Sequence, residues 1–330
     1  MTLLELIAVA PVSYVLGLVT CKLLTSKIWL DRPNHRSSHV IPVPKVGGLV
    51  LIVGLLSFLV MYSIGIRKDL LIPSFVLALV GVVDDLHPLS AKIRLCIQLL
   101  LSSLLIWHTG VASPVDTGQI LVASLVFLLS LLSMTWFINL FNFMDGINGI
   151  ALSQAIFMFL VLAVVGLPVM PDVALLSALL ALLLIGVMPL NFPSAKLFLG
   201  DAGSLMIGFL IAGICYLYWV EGILSLFSII LLGALFLVDA TATLLWRWRR
   251  KENITEAHAN HFYQRVARRL GSHTPITILY SAINVFWLLP MFYLSLTNSY
   301  SELLITLIAL LPICIGYALE RKVHGTVKQG

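Results

Sequence analysis

Long runs of apolar residues dominate this sequence and limit what it can fold into. Of its 330 residues, 60% are hydrophobic and 11% are charged, whereas a soluble domain is about 45–50% apolar and about 25% charged. A membrane-spanning helix needs roughly 20 mostly apolar residues, and only helices and closed barrels satisfy their own backbone hydrogen bonds in lipid. The runs lack the in–out alternation of barrel strands. The sequence therefore predicts an all-α, polytopic integral membrane protein.

We predict about eleven transmembrane helices in a single membrane-embedded domain that covers residues 1–330. The expected spans are 2–23, 46–65, 69–84, 92–109, 119–139, 149–166, 172–190, 203–220, 222–246, 276–296 and 301–319. Basic residues concentrate on the cytoplasmic side of membrane proteins. With a periplasmic N-terminus and a cytoplasmic C-terminus, the inner segments and the helix ends beside them hold 18 of the 20 Lys and Arg residues. The exceptions are Arg67 and Lys68.

Most of the aspartates follow the same division. The aspartates in or beside the predicted inner segments are Asp31, Asp84, Asp85, Asp145, Asp201 and Asp239. Carboxylates near lipid are costly, so they usually face a cavity or a partner. We therefore expect any chemistry to take place on the cytoplasmic face.

The first inner loop, 31–48, reads "DRPNHRSSHVIPVPKVGG". Its three prolines and paired glycines predict an irregular loop. Arg36 and Lys45, together with Ser37, Ser38 and His39, carry donors for phosphate oxygens. The alternative is an ordinary basic loop of the cytoplasmic side.

Two adjacent carboxylates, Asp84 and Asp85, end the third predicted span in "GVVDDLHPLSAKIR". Adjacent carboxylates repel each other and are expensive near lipid unless a cation or a partner compensates them. A divalent metal or a proton relay would supply that compensation. The alternative is a helix end solvated by water.

The segment "NLFNFMDGINGI", 139–150, interrupts an apolar run with amides and a carboxylate. Asn139, Asn142 and Asp145 are three residues apart and would share one face of a helix, and Asn148 continues the series. Such a polar stripe at a membrane helix end predicts a cavity, and glycine lets a ligand approach the backbone closely. A helix C-terminus with a glycine stop signal is the alternative.

The segment "NFPSAKLFLGDAGSLMIGF", 191–209, places Phe198 and Asp201 just before or at the start of another span. Asp201 either caps this helix or holds Mg²⁺ against phosphates. A helix N-terminus that follows glycine also suits an anion.

The largest inner loop, 246–273, contains His258 and His261 at a spacing of three, followed by Arg265. Phosphate contact, a basic loop without a ligand, and a zinc site are the three interpretations, and zinc lacks a further soft ligand nearby. Asp239 lies about two turns inside the ninth predicted span. An intramembrane carboxylate needs a partner, and Arg247 is the expected one.

Together these segments predict a metal-assisted phosphate site on one membrane face, where oxygen ligands favour Mg²⁺ or Mn²⁺. A multispanning transporter or flippase of an anionic substrate is the competing hypothesis. Transporters, however, place charged groups near the midplane of paired repeats, and no internal repeat is visible in this sequence.

The ordered motifs resemble one family, the polyprenyl-phosphate N-acetylhexosamine-1-phosphate transferases of glycosyltransferase family 4. They read "RSSHxxPxPxxGG", "DD", "NxxNxxDGI", "FxGDxGS" and "HANHFYQR", in that order over nearly the whole chain. The first and last motifs look most like the branch that initiates O-antigen synthesis. The resemblance implies a multi-pass enzyme of the bacterial inner membrane that transfers a sugar 1-phosphate from a UDP-sugar to undecaprenyl phosphate and releases UMP.

The resemblance also implies roles for individual residues. Asp201 and Asp85 are expected to hold Mg²⁺, and Asp84, Asp85 and Asp145 are expected to be catalytic. The expected substrate-binding residues are Arg36, Lys45, Asn142, Asn148, Phe198, His258, His261 and Arg265. Phe198 resembles a family aromatic that stacks on uracil, and the two histidines match residues that contact phosphate. Asn148 departs from the family, in which many members have aspartate at this position.

The expected partners are therefore a UDP-sugar donor, undecaprenyl phosphate and membrane lipid. No nucleic-acid partner is expected. Apolar helices that face lipid would also suit a homodimer.

Overall fold

A computed structural model of the chain describes residues 3–24, 28–31, 41–62, 67–110, 120–253, 259–297 and 300–327. Within these residues the fold is helical apart from one short antiparallel hairpin that pairs Leu30 with Pro44 and Asp31 with Val43. The elements are α1 (Leu3–Leu23), β1 (Leu30–Asp31), β2 (Val43–Pro44), α2 (Gly47–Tyr62), α3 (Lys68–Leu86), α4 (Ala91–His108), α5 (Ile120–Phe143), α6 (Ile150–Gly166), α7 (Pro171–Asn191), α8 (Gly200–Val220), α9 (Leu226–Leu232), α10 (Ala234–Arg249), α11 (Phe262–Leu270), α12 (Thr274–Ile283), a π-helical turn (Asn284–Leu288), α13 (Leu289–Leu296) and α14 (Glu302–Val327).

Each predicted span coincides with a helix or a run of adjoining helices. In the described part of the chain, seven helices are long and apolar enough to cross a membrane, or eight if α9 and α10 count as one bent span. Two further helices, α2 and α6, are apolar but shorter, and α3 carries charged residues at both ends. The all-α, polytopic prediction is thus confirmed, whereas the number of eleven spans and the orientation of the termini stay predictions.

The ninth predicted span, 222–246, is divided between two helices in the structure. The chain breaks at Gly233, and α9 and α10 meet at 85°. Apolar periodicity predicts how much of a segment is buried in lipid or protein, but it carries no information about such a bend. The tenth predicted span, 276–296, is continuous but contains the π-helical turn Asn284–Leu288.

Helix α8 lies at the centre of the molecule. In the most apolar stretch of α8, 89% of the residues are buried inside the protein. In the corresponding stretches of α1, α5 and α14, 17% of the residues are buried. It packs chiefly against α3 and α5. Since these three helices carry Asp84, Asp85, Asn142 and Asp201, this packing decides where the candidate site lies.

Candidate active site

Close contact between α3 and α8 brings together three carboxylates, those of Asp84, Asp85 and Asp201. Gly81 of α3 lies against the first turn of α8, where a Cβ at this position would be 2.4 Å from the backbone nitrogen of Ala202. Gly200 has a φ of 71°, and a Cβ there would lie 2.6 Å from Oδ2 of Asp85. Both positions therefore require glycine. As a result, Asp85 Oδ2 accepts a hydrogen bond of 3.2 Å from the Ala202 N–H, beside Asp201.

The adjacent carboxylates Asp84 and Asp85 have different environments. Asp84 accepts from Arg94 Nη1 at 2.5 Å and from the backbone N–H of Leu89 at 2.6 Å, so both its oxygens are engaged. The Asp85 side chain is 3% exposed, and its Oδ1 has no hydrogen-bond donor among the described residues. The nearest cation is Lys45, whose Nζ lies 3.7 Å from that oxygen. Asp85 is therefore the member of the pair with an oxygen left for a ligand.

The polar stripe predicted on α5 divides into two roles. Asn142 donates through Nδ2 to Asp201 Oδ1 at 2.7 Å and to Ser204 Oγ at 2.9 Å, so it joins the site. Asn139 instead donates to the buried Gln98 at 2.5 Å and links α5 to α4. The three-residue spacing places both amides on one face, but only the inner one reaches α8.

Asp145 follows α5 in the turn that leads to α6, and it is partly exposed. Burial, followed by the charges of Asp201 and Asp85, raises its pKa from 3.8 to about 7, and Lys45 opposes this change. We call Asp84, Asp85, Asp145 and Asp201 the carboxylate cluster. Burial and the repulsion between carboxylates favour a proton on Asp145 or a compensating cation beside it.

Lys45 connects the hairpin to the carboxylate cluster. Its Nζ lies 3.5 Å from Asp31 Oδ1 and 3.7 Å from Asp85 Oδ1. Burial lowers the pKa of Lys45, but the charges of Asp31, Asp85 and Asp201 outweigh it and raise the pKa above its ordinary value. The Phe198 N–H donates to the carbonyl of Pro44 at 2.8 Å, so Phe198 and Lys45 are held side by side.

Asn148 makes contacts with the protein itself. Its side chain donates to the carbonyl of Pro193 at 3.0 Å, and its carbonyl accepts from Thr277 Oγ1 at 2.8 Å. Its backbone N–H donates to His273 Nδ1 at 3.3 Å. These bonds tie the turn after α5 to the segment after α7 and to α12. The amide therefore has a structural partner that a carboxylate could not use in the same way.

Two of the residues predicted in the last inner loop, His261 and Arg265, are buried against other groups of the protein. Arg265 is buried, and its Nε donates to Glu320 Oε2 at 2.9 Å. Its guanidinium is therefore paired within the protein and not open to a ligand. His261 is 2% exposed and stacks on Phe143, two residues before Asp145. Arg36 and His258 fall outside the described residues.

The partner expected for Asp239 is also different. Arg247 donates to Glu252 Oε2 at 3.0 Å, at the end of its own helix. Asp239 accepts instead from the backbone N–H groups of Phe262 and Tyr263. Proximity in sequence suggested Arg247, but α10 turns it toward the loop while the carboxylate faces α11.

Sequence reasoning did not place Arg94, Ser204 and Asp31 in the site. Arg94 Nη1 lies 2.5 Å from Asp84 and 3.8 Å from Asp201, so it is the second cation of the site beside Lys45. The basic start of the helix after the paired aspartates was the available signal for Arg94. Ser204 ends the "FxGDxGS" motif and Asp31 lies in an inner segment, but neither signal indicates the distant residue that each one contacts.

The site has donors suited to a hard divalent ion but does not hold a complete set of ligands. Among the described residues, no three His, Cys, Asp or Glu side chains converge on one point that could bind a metal. Asp85 and Asp201 supply two carboxylates, and Asp85 Oδ1 is buried without a donor. Mg²⁺ is typically bound by one or two carboxylates, with phosphates and water as the other ligands. The arrangement fits that mode.

Residues 68–219 match the family model for glycosyl transferase family 4. The matched segment runs from α3 through almost all of α8, so it includes all four residues of the carboxylate cluster.

Three known proteins resemble this chain over much of its length. A Bacillus subtilis protein named "probable undecaprenyl-phosphate N-acetylglucosaminyl 1-phosphate transferase" is 25% identical over 291 residues, which is 82% of this chain and 80% of the relative. The undecaprenyl-phosphate α-N-acetylglucosaminyl 1-phosphate transferase of Thermotoga maritima is 28% identical over 79% of this chain and 80% of its own length. The decaprenyl-phosphate N-acetylglucosaminephosphotransferase of Mycolicibacterium smegmatis is 28% identical over 66% of this chain and 63% of its own.

Proposed function

We propose that this chain transfers an N-acetylhexosamine 1-phosphate from a UDP-sugar to undecaprenyl phosphate. An oxygen of the lipid phosphate attacks the β-phosphorus of the donor, a P–O bond forms, and the bond to UMP breaks. The products are UMP and a lipid-linked pyrophosphoryl sugar. The relatives support this proposal, since two are named for undecaprenyl phosphate and all three for N-acetylglucosamine.

The observation that carries the proposal is the carboxylate cluster with Lys45 and Arg94 beside it. Two anionic reactants would be repelled by four aspartates, so the cluster has a use in phosphate chemistry only if a cation lies between them. We place Mg²⁺, with Mn²⁺ as the alternative, at Asp85 and Asp201. When bound, the ion would screen the charges of both reactants and of the transition state.

The remaining residues of the site orient the reactants. Lys45 and Arg94 provide fixed positive charge on two sides of the cluster. Asn142 holds Asp201 in place through its 2.7 Å hydrogen bond. A phosphate monoester has a second pKa near 6, so the lipid phosphate is mostly dianionic at neutral pH and needs little help from a base.

The two members of the aspartate pair have separate roles in this proposal. Asp84 is committed to Arg94 and to the Leu89 N–H, so we assign it to positioning Arg94. Asp85 is assigned to the ion or to the lipid phosphate. Asp145, whose pKa lies at about 7, would lose its proton when cationic charge enters the site.

Recognition of the donor is assigned to residues around the hairpin and the α11 region. Phe198, held beside Lys45, would stack on the uracil ring, and His261 would contact phosphate. For Asn148 the structural contacts favour a role in holding the turn. Arg36 and His258 keep their predicted substrate contacts as part of this proposal, whereas Arg265 is assigned to its pair with Glu320.

We place the reaction at the cytoplasmic face of the bacterial inner membrane, where it would initiate O-antigen or another cell-surface polysaccharide. The positive-inside distribution supports this side. A homodimer is part of the proposal because many apolar side chains of α1, α5 and α14 face outward.

The proposal is tested by measuring UMP release from the protein in lipid nanodiscs with undecaprenyl phosphate, Mg²⁺ and a panel of UDP-sugars. We expect release with at least one UDP-N-acetylhexosamine, and loss of release with EDTA. Asp201→Ala and Asp85→Asn should each abolish turnover. The matched control is Asp172→Asn, which changes an exposed aspartate in the first turn of α7 and should leave turnover unchanged. No UMP from any donor would overturn the proposal and favour the transporter hypothesis.

A further inference from the structure

Asp239 is a buried carboxylate of α10, and the proposed reaction does not use it. Asp239 is 2% exposed, yet hydrogen-bond donors on both oxygens compensate its charge. Oδ1 accepts from the Phe262 N–H at 2.8 Å and from Thr243 Oγ1 at 3.3 Å. Oδ2 accepts from the Tyr263 N–H at 3.1 Å and from Tyr280 Oη at 3.0 Å. A buried charge persists when such bonds replace water.

The two backbone donors are the first two N–H groups of α11. The first N–H groups of any helix lack partners within the helix, and a negative charge at this end is favourable. Asp239 therefore provides from α10 the cap that α11 needs. His261 stands at the N-cap position of α11, and its backbone N–H is bound by Gln264 Oε1 at 3.3 Å. The position of His261 thus depends on a carboxylate 22 residues earlier in the chain.

The same carboxylate also lies beside the ring of His261. Nδ1 of His261 is 3.5 Å from Asp239 Oδ1. The ring is stacked between Phe143, with centroids 6.3 Å apart, and Tyr263, with centroids 5.9 Å apart. A histidine that contacts a ligand is commonly oriented by a carboxylate on its other nitrogen. Here one carboxylate and two aromatic rings fix the imidazole.

This arrangement reaches the carboxylate cluster through α5. Tyr263 Oη donates to the carbonyl of Phe143 at 2.9 Å. Phe143 is the last residue of α5, one residue after Asn142 and two before Asp145. The first turn of α11, His261 and the end of α5 therefore form one packed unit against the site.

We propose that Asp239 is a positioning residue for the transfer reaction: by capping α11 and facing Nδ1, it holds His261 where that ring acts on the phosphates. The inference rests on the proposed function for the role of His261. It gives a role in catalysis to a buried carboxylate of α10 that does not need to contact the phosphates or the metal ion. Loss of Asp239 should then affect turnover only as far as His261 is displaced.

A double-mutant cycle tests this dependence. Asp239→Asn keeps the shape of the side chain but removes the charge and one of the acceptors, and we expect kcat to fall about 10–100-fold. The kcat of His261→Gln should fall by at least the same factor. If Asp239 acts through His261, the double variant should be no slower than His261→Gln alone, whereas independent effects would multiply. Multiplying effects, or parental turnover in Asp239→Asn, would overturn the proposal.

A matched variant separates positioning from general stability. Tyr280→Phe removes one donor to the same carboxylate but leaves both α11 amides and His261 in contact. We expect its thermal midpoint to fall while turnover stays within about threefold of the parent. A loss as large as that of Asp239→Asn would indicate a purely structural network and contradict the proposal. If Asp239→Asn does not fold, Asp239→Glu enters the same cycle, because it keeps the charge but displaces it by one methylene.

Hydrogen–deuterium exchange gives a readout that does not depend on activity. Peptides covering 261–270 should exchange faster in Asp239→Asn than in the parent, because the first two amides of α11 lose their acceptor. Unchanged exchange would refute the capping contact. If the parent releases no UMP at all, the proposed function fails, while this exchange experiment still decides whether Asp239 holds α11.

Discussion

Removing the charge of Asp145 should stabilise the substrate-free protein, and the effect should depend on pH. Burial and the nearby charges of Asp201 and Asp85 raise the pKa of this carboxyl from 3.8 to about 7. Asp145→Asn resembles the protonated carboxyl in shape and polarity, so it should remove the repulsion with little change in packing. The same change should abolish UMP release if Asp145 is catalytic. Stability and activity would then move in opposite directions.

The sign and size of the effect follow from the two pKa values. A carboxyl with a higher pKa in the folded state contributes stability below the unfolded pKa, and this contribution is lost as the pH rises through the folded pKa. A difference of about three units corresponds to about 4 kcal/mol in the free energy of unfolding above pH 7. This is an upper bound because the side chain is partly exposed. Near pH 5 the expected difference is about 1.5 kcal/mol.

The measurement is the thermal midpoint of the parent and of Asp145→Asn in detergent with EDTA, at pH 5 and at pH 8. We expect the variant to unfold at the higher temperature at both values, with the larger gap at pH 8. Asp172→Asn serves as the control, since this exposed residue lies in the first turn of α7. The difference in thermal midpoint between this variant and the parent should be the same at both pH values. A gap for Asp145→Asn that is equal at the two pH values would refute the reasoning about the cluster.

Two other substitutions test the packing that forms the site. Gly81→Ala places a methyl group 2.4 Å from the backbone nitrogen of Ala202, and this overpacked contact should lower the free energy of unfolding by about 1–3 kcal/mol. UMP release should also fall, because α3 and α8 are forced apart. A variant with the stability and turnover of the parent would contradict this. Asn148→Asp replaces the donor to the Pro193 carbonyl with a second acceptor and should lower the stability by about 1–3 kcal/mol, measured as the thermal midpoint at pH 8. A more stable variant with tighter UDP-sugar binding would instead assign Asn148 to donor recognition.

Much of the helical framework could be predicted because the membrane restricts the choices. Each apolar run long enough to cross lipid had to become a helix, and the structure has a helix or a run of adjoining helices at every predicted span. The carboxylates of the cluster could also be singled out from the sequence, because charged residues in so apolar a chain are costly and so are retained where they have partners or ligands.

Which of these residues meet was decided by the tertiary structure. Asn139 and Asn142 are equivalent by spacing, but only Asn142 bonds to Asp201, since α8 passes beside the inner end of α5. Arg265 looks like a phosphate ligand in the sequence, yet Glu320 of α14 neutralises it. Periodicity states which face of a helix is polar and says nothing of the helix that packs on it.

By itself, then, the sequence determined the membrane class, the positions of the helices and the set of polar residues available for chemistry. These follow from local composition, because lipid penalises every exposed polar group in the same way wherever it lies. Only the tertiary structure decided that Asp84 is bound by Arg94 while Asp85 keeps an oxygen without a donor, and that Asp239 caps α11 instead of pairing with Arg247. Such choices depend on distances of a few ångströms between segments far apart in the chain, and these distances are set by how whole helices pack.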